Sequence, residues 1–238
     1  MHDRLELTSR LQLLADWVPQ DARFADIGTD HGYLPVWLLM NGRVGRAIAT
    51  DLRPGPLSRA KSTAEKYGVA PRMELRLGGG LSPVAPDEAD VLAIAGMGGE
   101  NIAAILASAP WSSDGAHQFL LQPMSRAEVL RGYLAEHGYL IRREQLVMDR
   151  GTIYPVMLVS AGEMHLSAGQ LYGGAGLLED PLEDRYLNEW ILRHMNVVCG
   201  LRRSSLPDGA AQADSLREII RELLTMKEMR RRADSCGN

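Results

Sequence analysis

The stretch from Arg23 to Val159 constrains the fold most, because short apolar runs alternate with amphipathic ones across it. The strand-like runs are Arg23–Gly28, Val44–Asp51, Met73–Leu77, Asp90–Ala95 and Phe119–Gln122. Helical patterning fills Tyr33–Asn41, Pro56–Tyr67, Gly98–Ser108 and Arg126–His137. Strands that alternate with helices predict a doubly wound, mainly parallel α/β sheet. Two further strands, Tyr139–Met148 and Thr152–Val159, meet at Asp149-Arg150-Gly151, a turn sequence, and so predict an antiparallel pair at one edge. A helix precedes the sheet: Leu7, Leu11, Leu14 and Val18 share one face, and Pro19 stops it.

The pattern changes near residue 160, which divides the chain into 1–160 and 161–238. Residues 162–180 hold Gly169, Gly173, Gly174 and Gly176 and read as a connecting loop. Beyond it, helices are expected over Pro181–Leu201 and Ala211–Arg232, joined at Pro207-Asp208-Gly209 as a helical hairpin of coiled-coil type. Residues 201–232 carry eight basic against five acidic side chains. Among these, Arg202, Arg203, Arg230, Arg231 and Arg232 are candidates for bidentate phosphate contact, although a solvated helix has the same look.

Composition narrows the class. A chain of 238 residues that is 45% hydrophobic can bury a full core, and no apolar run reaches the length of a membrane span. The first ten residues carry charges of both signs, unlike a secretory signal. Cys199 and Cys236 are too few for a disulfide framework or a cysteine-based zinc site, so no metal is expected and a cytoplasmic location is. The formal net charge of −4 supplies no overall attraction to nucleic acid, which leaves any such binding to a local patch. Oligomeric state is not legible.

The residues that carry chemistry fall at the predicted carboxyl ends of strands, where open α/β sheets bind ligands. Asp26-Ile-Gly28-Thr-Asp30-His31-Gly32 ends the first strand and opens the next helix. A dinucleotide fingerprint needs a glycine where Tyr33 stands. The acidic-x-Gly-x-Gly-x-Gly pattern of methyltransferases fits instead, with Asp30 in place of the middle glycine. Asp51 ends the second strand, about twenty residues beyond Gly28, where a carboxylate can accept from both ribose hydroxyls of a nucleoside. Gly79 lies in the glycine run after the third strand and offers only backbone. Gly96-Met97-Gly98-Gly99 follows the fourth, where small residues would let a planar base approach and Met97 could pack on it. Gln122, after the fifth, offers an amide to a base edge. Parallel strands closed by a hairpin are the methyltransferase variant of the Rossmann plan.

Taken together, Ala25-Asp-Ile-Gly-Thr-Asp-His-Gly-Tyr-Leu-Pro35, Ile94-Ala-Gly-Met-Gly-Gly99 and Leu121-Gln-Pro123 resemble the bacterial tRNA (adenine-22, N1)-methyltransferase family. The resemblance runs along the whole chain. It implies a class I methyltransferase domain with a helical appendage, S-adenosylmethionine as cofactor, tRNA as substrate and N1-methyladenine as product. By the same token it implies cofactor contacts at Asp26, Gly28, Asp51 and Gly96; Gly32, Gly79 and Met97 are further candidates from their places in the motifs. Gly79 stands where the family commonly has an acidic or polar residue. Asp30 is then the candidate to stabilise charge developing on the base, with His31 or Gln122 orienting it. The alternatives are a methyltransferase for small molecules and a non-catalytic protein that binds S-adenosylmethionine or RNA.

Overall fold

The computed structural model describes residues 5–177, 179–201 and 208–236. These form two compact units: Met1–Arg143 with Val147–Met164, and Glu144–Leu146 with His165–Asn238.

The first unit holds a seven-stranded sheet. Its strands are β1 (Phe24–Ile27), β2 (Ala47–Asp51), β3 (Met73–Leu77), β4 (Val91–Gly98), β5 (Gln118–Ser125), β6 (Tyr139–Asp149) and β7 (Thr152–Ala161), in the order β3-β2-β1-β4-β5-β7-β6. β1 lies parallel to both β2 and β4, with Phe24 level with Ala47 on one side and Val91 on the other. Connections run outward to β2 and β3 and then return to start β4, so the strand order reverses between β1 and β4. β7 is antiparallel to β5, and β6, joined to it by the turn at Asp149–Gly151, lies beside it at the sheet edge. Arg150 and Gly151 both have positive φ, 48° and 84°, the signature of a tight hairpin turn.

Five helices belong to this unit: α1 (Ser9–Trp17), α2 (Tyr33–Met40), α3 (Pro54–Lys66), α4 (Gly99–Ala107) and α5 (Ala127–Glu136). All four residues of β1 are buried, as a strand covered on both faces requires. Phe24 joins Leu14, Leu38 and Val44 in one core. Its neighbours Ala25 and Ile27 join Ile94, Ile102, Phe119 and Leu130 in the other.

The second unit corrects the reading of residues 162–180 as a loop. Ser167 and Gln170 form a capping box, and α6 (Ala168–Gly173) follows. Its glycines serve contact. A Cβ at Gly169 would lie 2.5 Å from Glu222 Cβ, and one at Gly173 would lie 2.8 Å from Leu187 and Met226 side chains. Small residues let α6 approach α7 (Glu183–Leu201) and α8 (Gly209–Cys236), whose shared core is Leu187, Ile191 and Leu223. Lys227 pairs with Asp184 at 3.1 Å and Arg230 with Glu183 at 3.0 Å. The end of α8 therefore faces the start of α7, in an antiparallel pairing.

Candidate active site at the carboxyl edge of the sheet

The reversal of strand order opens a crevice beyond the carboxyl ends of β1 and β4. The chain leaves β1 through a turn with three left-handed residues, Gly28 (φ 73°), Asp30 (φ 50°) and Gly32 (φ 68°). Aspartate tolerates that region better than most residues, which explains how Asp30 replaces a glycine of the pattern. Backbone N–H groups of Gly28 and Thr29 donate to the Thr50 carbonyl at 2.9 and 2.8 Å, tying the turn to β2. Gly32 opens α2 under α3, where a Cβ would stand 3.0 Å from Ala60.

Two carboxylates define the crevice floor. Asp26 is buried and accepts from the Thr29 hydroxyl at 2.6 Å. Burial pushes its pKa up to about 6, against the Thr29 hydrogen bond and with help from the Asp51 charge. The folded state therefore holds this proton more tightly than the unfolded chain does. The resulting stability is present below the ordinary carboxylate range near 4 and lost as pH rises to about 6, on the order of 2–3 kcal/mol. Urea unfolding between pH 4 and 7 should show that decline, and Asp26→Asn should flatten it and be the more stable protein at pH 7.

Asp51 ends β2 nearly buried, accepting from Arg53 N–H at 3.0 Å and Asp30 N–H at 3.4 Å. Beside it Leu52 and Leu77 are 71% and 61% exposed. Two leucines at the rim of a crevice form an apolar shelf that a planar ring could cover. Gly79 faces this shelf, and a Cβ there would lie 3.3 Å from Leu52.

The other wall is the run after Ala95. β4 extends to Gly98, and its register against β5 slips on either side of Met97, which pairs with Pro123. Gly96 has φ 77° and clear space where a Cβ would stand. Met97 reaches across the crevice, and its ε-methyl would collide with any side chain at Gly28. The β1 turn and the β4 loop, predicted to share a site, thus touch.

Asp30 and His31 sit at the rim. The Asp30 carboxylate is 55% exposed and accepts from Arg59 on α3 at 2.6 Å; His31 Nε2 is 3.6 Å away. His31 stacks on Tyr33 with ring centres 5.2 Å apart. Gln122 departs from expectation. Its side chain is wholly buried, with Oε1 accepting from Arg10 at 2.7 Å and Nε2 donating to the Pro123 carbonyl at 2.8 Å. Both ends of the amide are engaged, so it presents no free edge to a base. Neither Arg59 nor Arg10 stood out in the sequence, where each is one arginine on an amphipathic helix.

Among the arginines of the C-terminal unit, Arg230 also departs from expectation. It donates to the Asp180 carbonyl and to the buried Glu183 carboxylate, which fixes α8 to α7 and withdraws it from phosphate contact. Arg232 is exposed on α8. Arg202 and Arg203, and the Arg231 side chain, lie outside the described residues.

Residues 7–157 match a family model described as a methyltransferase domain. The chain is 31% identical over 234 residues to the tRNA (adenine(22)-N(1))-methyltransferase of Bacillus subtilis, covering 95% of this chain and 98% of that one. The crystal structure of the B. subtilis M1A22 tRNA methyltransferase TrmK superposes with TM-score 0.83 at 30% identity, over 95% of this chain and 99% of that one. The structure of a Streptococcus pneumoniae protein, Sp1610, in complex with S-adenosyl-L-methionine matches with TM-score 0.75 and 30% identity, over 90% of this chain and 100% of that one.

Proposed function

The chain belongs to the tRNA (adenine(22)-N1)-methyltransferase family, and we propose that it methylates N1 of adenine 22 in tRNA, using S-adenosylmethionine. The observation that carries this reading is a relative matched from end to end, helical unit included, with the crevice at the point of strand reversal.

The crevice suits the cofactor. Asp51 retains lone pairs toward the rim for two ribose hydroxyls, because its two backbone donors leave acceptor capacity on each oxygen. The exposed Leu52 and Leu77 would receive the adenine ring, with the backbone beside Gly79 at its edge. Asp26 would hold the cationic amine of the methionine portion, while Gly28, Gly32 and Gly96 would let backbone come close. When bound, S-adenosylmethionine supplies a methyl carbon activated by its sulfonium.

Adenine N1 already has a free lone pair, so no residue has to remove a proton before attack. The protein's contribution is alignment, which by itself accelerates such displacements greatly. Positive charge passes to the base as the new bond forms. Asp30 is the carboxylate that would face it, with Arg59 holding its orientation and His31 close by, stacked on Tyr33. The N1 edge is occupied in a duplex, so the base must be exposed or turned out. Arg232, together with Arg202, Arg203 and Arg231, would grip the tRNA body from the helical unit, and a tRNA substrate puts the enzyme in the cytoplasm. No helix among the described residues is long and apolar enough to cross a membrane.

The deciding assay follows labelled methyl transfer to unmodified tRNA transcripts bearing adenine or guanine at position 22. Transfer to the adenine transcript alone is expected. Transfer to both would remove the assigned site, and transfer to small molecules without RNA would replace the substrate class. In the same assay Asp30→Asn should lower turnover about a hundredfold with cofactor affinity kept; full turnover would end its assigned role.

A further inference from the structure

One half-buried charge near the carboxyl edge of the sheet has no part in the scheme above. Arg10 lies in the first turn of α1, and its side chain is only 18% exposed. A cation in the first turn of a helix opposes the helix dipole, and burial adds a desolvation cost. What balances these costs is a convergence of four groups from distant parts of the chain. Arg10 Nε donates to Asp149 at 2.6 Å, and Nη1 donates to Gln122 Oε1 at 2.7 Å and touches Met124 Sδ. The guanidinium also lies over the Tyr154 ring, 5.1 Å from its centre.

Of the groups it gathers, Gln122 and Met124 belong to β5, the neighbour of the β4 wall of the crevice. Gln122 is level with Ala95, one residue before Gly96, and Pro123 is level with Met97. Through its Nε2, Gln122 holds the Pro123 carbonyl, and Met97 in turn rests against Gly28. A continuous path of contacts therefore runs from Arg10 through Gln122, Pro123 and Met97 to the turn after β1. An anchor for α1 alone would not require a guanidinium, since apolar side chains of similar volume replace buried ion pairs at little cost or with gain.

We infer that Arg10 is a positioning residue: by fixing Gln122 and Met124 to Asp149 it sets the rim against which the accepting base meets the methyl group. This rests on the methyltransferase reading given above. Arg10 touches no reacting atom. Its contribution is to the placement of the rim, and displacement of about an ångström there is enough to slow an in-line transfer strongly.

The test compares Arg10→Met and Arg10→Lys with the wild type. Arg10→Met should bind S-adenosylmethionine within about twofold of wild type yet turn over adenine-22 transcripts about a hundredfold more slowly, the loss falling on kcat rather than KM. With methionine ε-methyl carbons labelled, the Met97 and Met124 NMR signals should move in Arg10→Met without RNA present. Wild-type kcat in the variant, an unmoved Met97 signal, or loss of cofactor binding alongside turnover would each overturn the inference. Should Arg10→Met fail to fold, Arg10→Lys decides: lysine keeps the charge beside Asp149 but cannot also hold Gln122, so unaltered kcat would overturn it. A wild-type protein that methylates no adenine-22 transcript would instead refute the proposed function, and the Met97 signal would then decide the role of Arg10 alone.

Discussion

Asp51→Ala is expected to weaken S-adenosylmethionine binding by two to three powers of ten, measured by calorimetry, with methyl transfer lost at ordinary cofactor concentrations. Each hydrogen bond to a charged group contributes about 1.5–3 kcal/mol, and this carboxylate is placed to accept two from ribose hydroxyls. The substitution also frees the Arg53 and Asp30 N–H groups, which loosens the turn that shapes the crevice. Asp51→Asn keeps an acceptor and loses the charge, so it should fall between alanine and wild type. A second readout is internal. The Asp51 charge raises the Asp26 pKa, so Asp26 should ionise at lower pH in the alanine variant. Equal cofactor affinity in all three proteins would place the ribose elsewhere.

Gly99→Ala should have the largest effect on stability. Gly99 is the first residue of α4, and a Cβ there would stand 2.1 Å from the Arg126 carbonyl oxygen and 3.2 Å from Leu130 Cβ. The obstacle is backbone, at a residue itself held at φ 57°, so it cannot rotate aside as a side chain would. Accommodation requires α4 and α5 to separate. A loss of about 3 kcal/mol follows, lowering the thermal midpoint by about 10 °C, and turnover should fall with it because α4 begins at the crevice wall. A variant with unchanged midpoint would show that the two helices have more freedom than their spacing indicates.

Much of this architecture was legible because it rests on local patterning. The switch of apolar period marks each strand and helix of the sheet, and the turn residues at Asp149–Gly151 mark the hairpin. The β1 turn and Asp51 were legible because the ligand-binding edge of such a sheet collects the ends of strands, and sequence shows where strands end. What sequence hid depends on partners far along the chain. Arg10 meets residues 112 and 139 positions away, and nothing near it announces them. Gln122 looks available until Arg10 is found to hold it. Arg230 belongs to a basic run, yet its charge is taken up by Glu183 across the helix pair. Gly169 and Gly173 carry the same letter in a flexible loop and in a tight helix contact; only the faces of α7 and α8 distinguish the two. The one local clue was the Ser167–Gln170 spacing of a capping box.

The buried Asp26 carboxyl also makes ligand binding a proton-moving event. In the free protein near pH 6 the group is shared between its neutral and ionised forms. A cation arriving beside it favours the ionised form, so below about pH 6 each binding event expels part of a proton to the buffer. The heat of binding S-adenosylmethionine at that pH should then depend on the buffer's own ionisation enthalpy, and affinity should decline as the solution is acidified. The crevice adjusts its own charge to its occupant: near pH 6 Asp26 is only partly ionised before a cation enters, and more fully so once one is there to be balanced.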